Sequence, residues 1–392
     1  MEVPSPIDCI QRPAVSIPCP AMSNARFDTK ELQHMCSASG ASNNETIERN
    51  IAIPLCMFAG GPVAARVIAA TSKAFHAAVC QGWRDLTDAF PDRLYVIGGL
   101  DSSFRALDTA ERYDPLTGSW ESLPPLKSAR AGSSAVAVAG KLYIIGGEAG
   151  GRALNDMQRF DPWFDCWETL PSMRQGRIRA AATDRDDCIF VLGGLDGTEP
   201  LQCVECFDVQ KFAWQVMPAM TRPRYAGIAK AQEHWIFAIG GELTDAGVKA
   251  SIERYDRKKG VWELLPSVQQ PCCGAAMTLA SSGHVALTFG GLSLSGQPLT
   301  VSKQLPLDYR MTSTSADDED PKKWTFLPPM PTARHLASAA SFCGGAVAVG
   351  GKGSKSEVLR SVDFFNPDNW DWEMLPPLPN PRLRAAVAGG RL

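Results

Sequence analysis

Six short apolar runs in this chain stop on a pair of glycines. They are "YVIGG" ending at Gly99, "YIIGG" at Gly147, "VLGG" at Gly194, "FAIGG" at Gly241, "LTFGG" at Gly291 and "VAVGG" at Gly351. The first glycines stand at Gly98, Gly146, Gly193, Gly240, Gly290 and Gly350, in steps of 48, 47, 47, 50 and 60 residues. A tryptophan keeps the same beat at Trp120, Trp167, Trp214, Trp262, Trp324 and Trp372. Seven residues before it stands an aromatic in five units: Tyr113, Phe160, Phe207, Tyr255 and Phe365. The fifth unit has Leu305 there and 12 extra residues before its tryptophan, in an insertion containing the polar, acidic "TSTSADDEDP". A fixed period of this size means a repeat architecture, in which each unit buries its apolar surface only against its neighbours.

Each unit parses into four short strands. In the second they are "SSAVAVA", "KLYIIGG", "DMQRFDP" and "CWETLP", separated by Gly-, Asp- and Pro-containing turns. The doublet ends the second strand where the chain turns sharply, and the missing Cβ leaves room for an aromatic to pack over the backbone. Tyr95, Tyr143, Phe190 and Phe237, with Leu287 and Val347 in the later units, and the repeated tryptophan are the expected packing partners.

On these residues the units resemble Kelch repeats, and the resemblance covers Arg93 to Leu392. It implies an all-β fold, a six-bladed Kelch β-propeller spanning residues 91–392. The first unit begins at "PDRLYVIGG" with no innermost strand ahead of it, while the chain finishes on "NPRLRAAVAGGRL", which has the innermost-strand pattern. The C-terminal strand is therefore expected to complete the first blade and leave no sheet edge unpaired.

Residues 1–50 carry "SASGASNN" and few large apolar side chains, and the expectation is disorder. Over residues 51–90 the pattern changes: Val63, Val67, Phe75, Val79, Trp83 and Leu86 recur at helical spacing. This stretch resembles the second half of an F-box through Val67, Ser72, Lys73, Phe75 and Trp83, although "IAIPLCMFAGG" puts two glycines where the first half needs a helix. The F-box resemblance implies a Skp-type adaptor of a cullin ligase as partner and a role as substrate receptor. A short helical cap on the propeller is the alternative.

The charge pattern offers one candidate site. Arg130, Arg177, Arg224, Arg334 and Arg382 occupy five of six equivalent places at the start of the innermost strands, with Cys272 in the sixth. Arg179, Tyr225, His335 and Arg384 lie beside them. One reading is a basic, partly aromatic cup at a mouth of the channel for an acidic or phosphorylated protein or peptide, since guanidinium pairs bidentately with carboxylate and phosphate. The other is internal pairing with Asp101, Glu148, Asp196 and Glu242, which follow the doublets.

Composition narrows the remaining classes. The chain has 392 residues and a formal net charge of -3, which gives no global attraction to nucleic acid. No run of 18 apolar residues is uninterrupted, so no membrane span is expected, and the N-terminus lacks the pattern of a secretion signal. Of the 12 cysteines several fall in strand runs, and the lone "CVEC" puts Cys203 and Cys206 on opposite strand faces. Metal and disulfides are not expected, and a reducing compartment, cytoplasm or nucleus, is. His234, His284 and His335 sit at different places in different units, no phosphate loop is present, and no nucleophile stands beside a base. The expectation is a non-enzymatic interaction module without a cofactor. The alternatives are a cytoskeletal or scaffolding protein and, from another class, a propeller enzyme such as a sugar epimerase.

Overall fold

The computed structural model describes residues 92–390, apart from residues 163, 242–248, 270–273, 281–283, 294 and 307–323. The expected N-terminal disorder, the helical F-box-like segment, Cys272, Glu242 and the acidic insertion of the fifth unit lie outside the described residues. Within them the repeat folds as read: six four-stranded antiparallel sheets form the blades of a propeller.

Blade 2 shows the plan. Its inner strand Ser134–Val138 pairs with Lys141–Ile145, which pairs with Met157–Asp161 and then with the outer strand Cys166–Leu170. Blade 3 (Ala181–Arg185, Cys188–Leu192, Val204–Asp208, Ala213–Met217) and blade 6 (Ser338–Phe342, Gly345–Val349, Val362–Asn366, Asp371–Leu375) repeat it strand for strand. Blade 4 (Ile228–Gln232, Trp235–Ile239, Lys249–Asp256, Val261–Gln269) has longer third and outer strands, with a register shift between Ala250 and Ile252. Blade 5 (Ala276–Leu279, Val285–Phe289, Ser302–Pro306, Thr325–Leu327) ends in a short outer strand.

Blade 1 is built from both ends of the repeat region. Arg93–Ile97, Ala110–Asp114 and Ser119–Leu123 supply three strands, and Ala386–Gly390 supplies the inner one, in register Leu94↔Gly389 and Val96↔Val387. The C-terminal strand therefore closes the ring, as its sequence pattern implied.

The second strand of each blade is apolar on both faces because each face meets a different neighbour. Tyr95 and Ile97 pack on Leu142, Ile144 and Phe160 of blade 2, while Leu94 and Val96 pack on Phe342, Val347 and Val349 of blade 6. Alternation at period two thus sorts one strand into two interblade cores. In blades 1, 2, 3, 4 and 6 a tryptophan of the outer strand staples the core at the rim. Its indole N–H donates to a proline carbonyl of the preceding blade: Trp167 to Pro124 at 2.8 Å, Trp214 to Pro171 at 2.7 Å and Trp372 to Pro328 at 2.9 Å. Trp120 of blade 1 reaches Pro376 of blade 6 at 2.8 Å, so the staple also crosses the closure.

The glycine doublet has another cause than the expected aromatic cover. Gly146 and Gly147 adopt φ of +60° and +101°, the left-handed half of the map. A Cβ on Gly146 would stand 2.5 Å from the Arg177 carbonyl oxygen, and one on Gly147 2.8 Å from that of Ala131. What passes close is the backbone of the linkers between blades. The aromatics pack elsewhere: Phe160 lies 5.1 Å from Trp167, ring to ring, within the same blade.

Closure by the C-terminal strand predicts the effect of removing it. Deleting Arg382–Leu392 uncovers Tyr95 and Ile97 and leaves two strand edges open. Each large apolar side chain returned to water costs about 1.5–3 kcal/mol, against a usual total stability of about 5–15 kcal/mol. The shortened chain is expected to aggregate or lose its cooperative thermal transition in circular dichroism. Melting like the full chain would show that another segment closes the ring.

Candidate functional site

The five arginines expected to ring a channel mouth are not presented there. Arg130, Arg177, Arg224, Arg334 and Arg382 are only 0–2% exposed. Each spans a junction between blades. The main chain of Arg177 belongs to blade 2, its N–H donating to the Leu154 carbonyl (2.9 Å) and its carbonyl accepting from Gly147 N–H (2.8 Å). Its guanidinium enters blade 3, donating to the Gly193 carbonyl at 2.7 Å and to Glu205 at 2.8 Å. The same arrangement recurs as Arg130 with Asp156 (2.6 Å), Arg224 with Glu253 (2.5 Å) and Arg334 with Asp363 (2.7 Å). Arg382 pairs with Glu111 and donates to the Gly98 carbonyl at 3.0 Å, tying blade 6 to blade 1.

The acids also hold the linker. Glu205 accepts from the backbone N–H of Arg174 at 2.8 Å, and Glu253 from that of Thr221 at 2.6 Å. Burial lowers the proton affinity of Arg224, Arg334 and Arg382, and the facing carboxylates oppose it. Internal pairing is therefore the outcome for these five, and the described acids beside the doublets, Asp101, Glu148 and Asp196, are not the partners. Asp101 instead accepts from the N–H groups of Ser103 and Arg105, and Asp196 from those of Thr198 and Glu199. The true partners were legible: Glu111, Glu205, Glu253 and Asp363 each stand two residues before the repeated aromatic of a third strand, and Asp156 stands two places earlier where Gln158 replaces the acid.

The mouth itself is made two residues further on. Gly132, Arg179, Ala226, Gly274, Leu336 and Arg384 all have left-handed φ, between +52° and +69°. Their peptides hand hydrogen bonds round the channel: Arg179 N–H to Gly132 C=O (2.7 Å), Gly132 to Arg384 (2.8 Å), Arg384 to Leu336 (3.2 Å), Leu336 to Gly274 (3.0 Å) and Ala226 to Arg179 (2.8 Å). Four of the six are not glycine, and each such residue costs about 1–3 kcal/mol in a conformation of this kind. The surrounding hydrogen bonds hold them there.

On this collar sit the other four residues singled out by sequence: Arg179, Tyr225, His335 and Arg384, all half-buried. The Arg179 guanidinium lies over the Tyr225 ring, 5.6 Å from its centre. His335 and Lys352 exchange backbone hydrogen bonds (3.1 and 2.8 Å), and the Lys352 ammonium stands 5.6 Å over the exposed ring of Phe104. Burial, and then Lys352, hold the His335 imidazole below its ordinary pKa, so positive charge here comes from Arg179, Arg384 and Lys352. Nδ1 of His335 and Nε of Arg384 are buried without a partner among the described residues.

Behind the collar the inner strands enclose a channel of about 390 Å³, lined mainly by alanine and by Thr183, Asp184, Lys230, Thr278 and Ser341. Burial raises the Asp184 carboxyl, with Lys230 and Arg185 pulling it back down. Sequence reading did not single out Asp184 or Lys230, because an inner strand's channel face carries no period of its own. Among the described residues no group of three or more His, Cys, Asp or Glu is placed to hold a metal ion. Cys203 and Cys206 diverge: the Cys203 sulfur accepts from Arg177 at 3.1 Å, while Cys206 is buried in a core. No helix among the described residues is long and apolar enough to cross a membrane.

Six blades, closed by the last strand and pinned by a buried arginine at each of five junctions, make a six-bladed β-propeller. The KLHDC2/KLHL20/DRC7 Kelch-repeats domain model matches residues 71–241. Kelch-like protein 35 of Mus musculus is 38% identical over 65 residues, 17% of this chain and 11% of its own length. Kelch repeat and BTB domain-containing protein 12 of Danio rerio is 43% identical over 63 residues, 14% of this chain and 10% of its own length. The chain thus matches about a tenth of the length of these relatives. Fold and comparisons together support a Kelch β-propeller.

The clasp can be tested apart from any ligand. Arg177→Met leaves the Glu205 carboxylate buried without its cation, which typically costs about 3–5 kcal/mol. Arg177→Met with Glu205→Leu is expected to regain at least half of that loss in urea unfolding, because an apolar pair needs no counter-charge. A loss under about 1 kcal/mol in the single variant would remove the structural role.

Proposed function

We propose that the chain is a non-enzymatic recognition module that holds a protein or peptide segment at the collar, through Arg179, Tyr225, His335 and Arg384. The observation that carries this is the collar's strain. Four residues other than glycine are kept in a left-handed conformation at one mouth, and the side chains so placed differ from blade to blade while the clasp repeats. Strain of this kind gathers where a site must be held in one shape. The ligand is acidic or phosphorylated, because Arg179, Arg384 and Lys352 supply cations beside an aromatic face. Arg130, Arg177, Arg224, Arg334 and Arg382 take part only by fixing the blades.

Fluorescence anisotropy with glutamate-rich and phosphoserine peptide pools tests this against neutral pools. Charge-assisted hydrogen bonds are worth about 1.5–3 kcal/mol, so Arg179→Ala with Arg384→Ala should weaken acidic-peptide binding at least about tenfold and flatten its salt dependence. No preference for acidic pools, or equal binding by the variant, would sink the proposal.

A second reading rests on Ser72, Lys73, Phe75 and Trp83, which have the spacing of an F-box's second half. On that reading the propeller presents its ligand to a cullin ligase through a Skp-type adaptor, in the cytoplasm or nucleus. The match to the Kelch model begins at residue 71, inside this same segment. Co-purification of the full chain with a Skp-type adaptor, lost on removing residues 51–90, is the expected outcome. If the full chain retains no adaptor, a scaffolding role remains.

A further inference from the structure

Three loops on the collar face follow one backbone path and carry different tips. In blades 1, 5 and 6 the residue two places after the doublet donates to the carbonyl four residues on. The pairs are Asp101 with Arg105 (3.0 Å), Ser293 with Gln297 (2.8 Å) and Gly353 with Glu357 (2.9 Å). Between them one residue donates back to the first: Phe104 to Asp101 (3.0 Å), Gly296 to Ser293 (2.9 Å) and Ser356 to Gly353 (3.1 Å). That residue is left-handed in all three loops, at +58°, +77° and +62°. Glycine adopts such a φ freely, whereas a bulky side chain is strained there. Blade 1 nevertheless places a phenylalanine at this tip, and it is 58% exposed.

Two other aromatics in this conformation show what usually offsets the strain. Phe212, at +53°, sets its ring 6.4 Å from Phe207 and 5.2 Å from the Arg159 guanidinium. Trp370, at +57°, lies 6.1 Å from Phe365. Among the described residues Phe104 has no aromatic neighbour, and its ring contact is the Lys352 ammonium of blade 6. Its loop is rigid all the same. The Asp101 carboxylate accepts from the N–H groups of Ser103 (2.8 Å) and Arg105 (2.9 Å) and from Nε of Arg105 (3.0 Å). A strained turn is thus fixed so as to hold an aromatic ring in water.

Cations stand beside this ring. The loop begins at Leu100, which exchanges backbone hydrogen bonds with Leu383 (2.8 and 3.1 Å), the neighbour of Arg384. Arg384 N–H donates to Leu336, and Lys352 is bonded to His335, the residue before it. Phe104, Lys352 and Arg384 are therefore tied to one sector of the collar, where blades 6 and 1 meet. Among the described residues neither Lys352 nor Arg384 pairs with a carboxylate, and Nε of Arg384 has no acceptor.

We propose that Phe104 is a subsite for an aromatic side chain of the bound segment, flanked in that segment by a carboxylate that Lys352 and Arg384 take up. The subsite rests on the reading of the collar as a peptide site and adds the residue type that stands beside the acid. A ring already held in place offers contact area with little freedom left to lose, and aromatic pairs add to plain apolar burial. A ligand ring on Phe104 also lies near the Lys352 ammonium, which attracts a π face and the neighbouring carboxylate alike.

Two labelled glutamate-rich peptides, identical except for one tryptophan or one alanine within the acidic run, are titrated with the full chain by fluorescence anisotropy. The tryptophan peptide should bind at least about fivefold more tightly. Phe104→Gly should erase that difference, and Phe104→Trp should keep it. The melting temperature of Phe104→Gly is expected not to fall, because glycine suits the left-handed tip, as Gly296 does in blade 5. A marked drop would mean that the ring serves the fold and would count against the subsite. If both peptides bind and the tryptophan adds nothing, or if its advantage survives Phe104→Gly, the subsite is overturned while the collar reading stands. If neither acidic peptide binds, both fall.

Discussion

A guanidinium that leaves one blade and is buried in the next sets the geometry of this ring. Sheets stacked face to face through apolar side chains are held together but free to slide, because burial has no preferred direction. The planar fork removes that freedom. Arg224 donates to the Gly240 carbonyl at 2.8 Å, to the Ser251 carbonyl at 3.0 Å and to Glu253, each on the far side of the junction. An ion in the interior costs several kcal/mol even after relaxation, so these positions tolerate arginine only with most donors satisfied and a carboxylate in contact. The carboxylate in turn receives linker amides, which fixes the linker that carries the arginine. Angle, spacing and linker path are set by one group.

The glycine doublets follow from the clasp. The arginine's carbonyl must come down on the end of the preceding blade's second strand to accept from the second glycine, as Arg177 does from Gly147 at 2.8 Å. A side chain there would occupy the space of the incoming backbone. The doublet is thus the imprint of the neighbouring linker. This is why the fold was so legible: glycine, arginine, acid and tryptophan recur because each answers a contact that recurs. The four strands of blade 2 and the closing role of the last strand were readable for the same reason. Misassigning the doublet's neighbour to an aromatic was a failure of a different kind. A missing Cβ shows that something comes close, and its partner lies some 30 residues away along the chain.

The site was less legible, and the reason is directional. Position in a repeat tells which arginines are equivalent, but not whether a long side chain points along the channel or back into the next sheet. For Arg130, Arg177, Arg224, Arg334 and Arg382 the deciding information lay in a second register, the acids of the third strands. Read together, the two registers require burial, since four cations meet a carboxylate at the same place in a third strand and Arg130 meets Asp156 just ahead of one. Arg179 and Arg384, two residues on, stand outside that paired register. Their left-handed backbone, at +54° and +53°, also breaks the preference of a residue with a Cβ, and nothing in their identity announces it.

Repetition and departure from it therefore carry different information in this molecule. Where all six units agree the residue serves the ring, because a contact made six times can only be one that every blade needs. Where they disagree at the collar, the side chains are released from that duty. The junction of blades 4 and 5 shows a third case, in which the departures are coupled: Cys272 stands at the arginine's place and Lys303 at the acid's. An arginine facing Lys303 would bury two like charges, and an acid facing Cys272 would be buried without a cation; either half-change costs more than the loss of both. Exchange of the pair removes the buried clasp, and among the described residues the junction is crossed by apolar contacts and by a hydrogen bond between Gln232 and His284. A closed ring can carry one such junction, because the five others still fix the blades on either side of it.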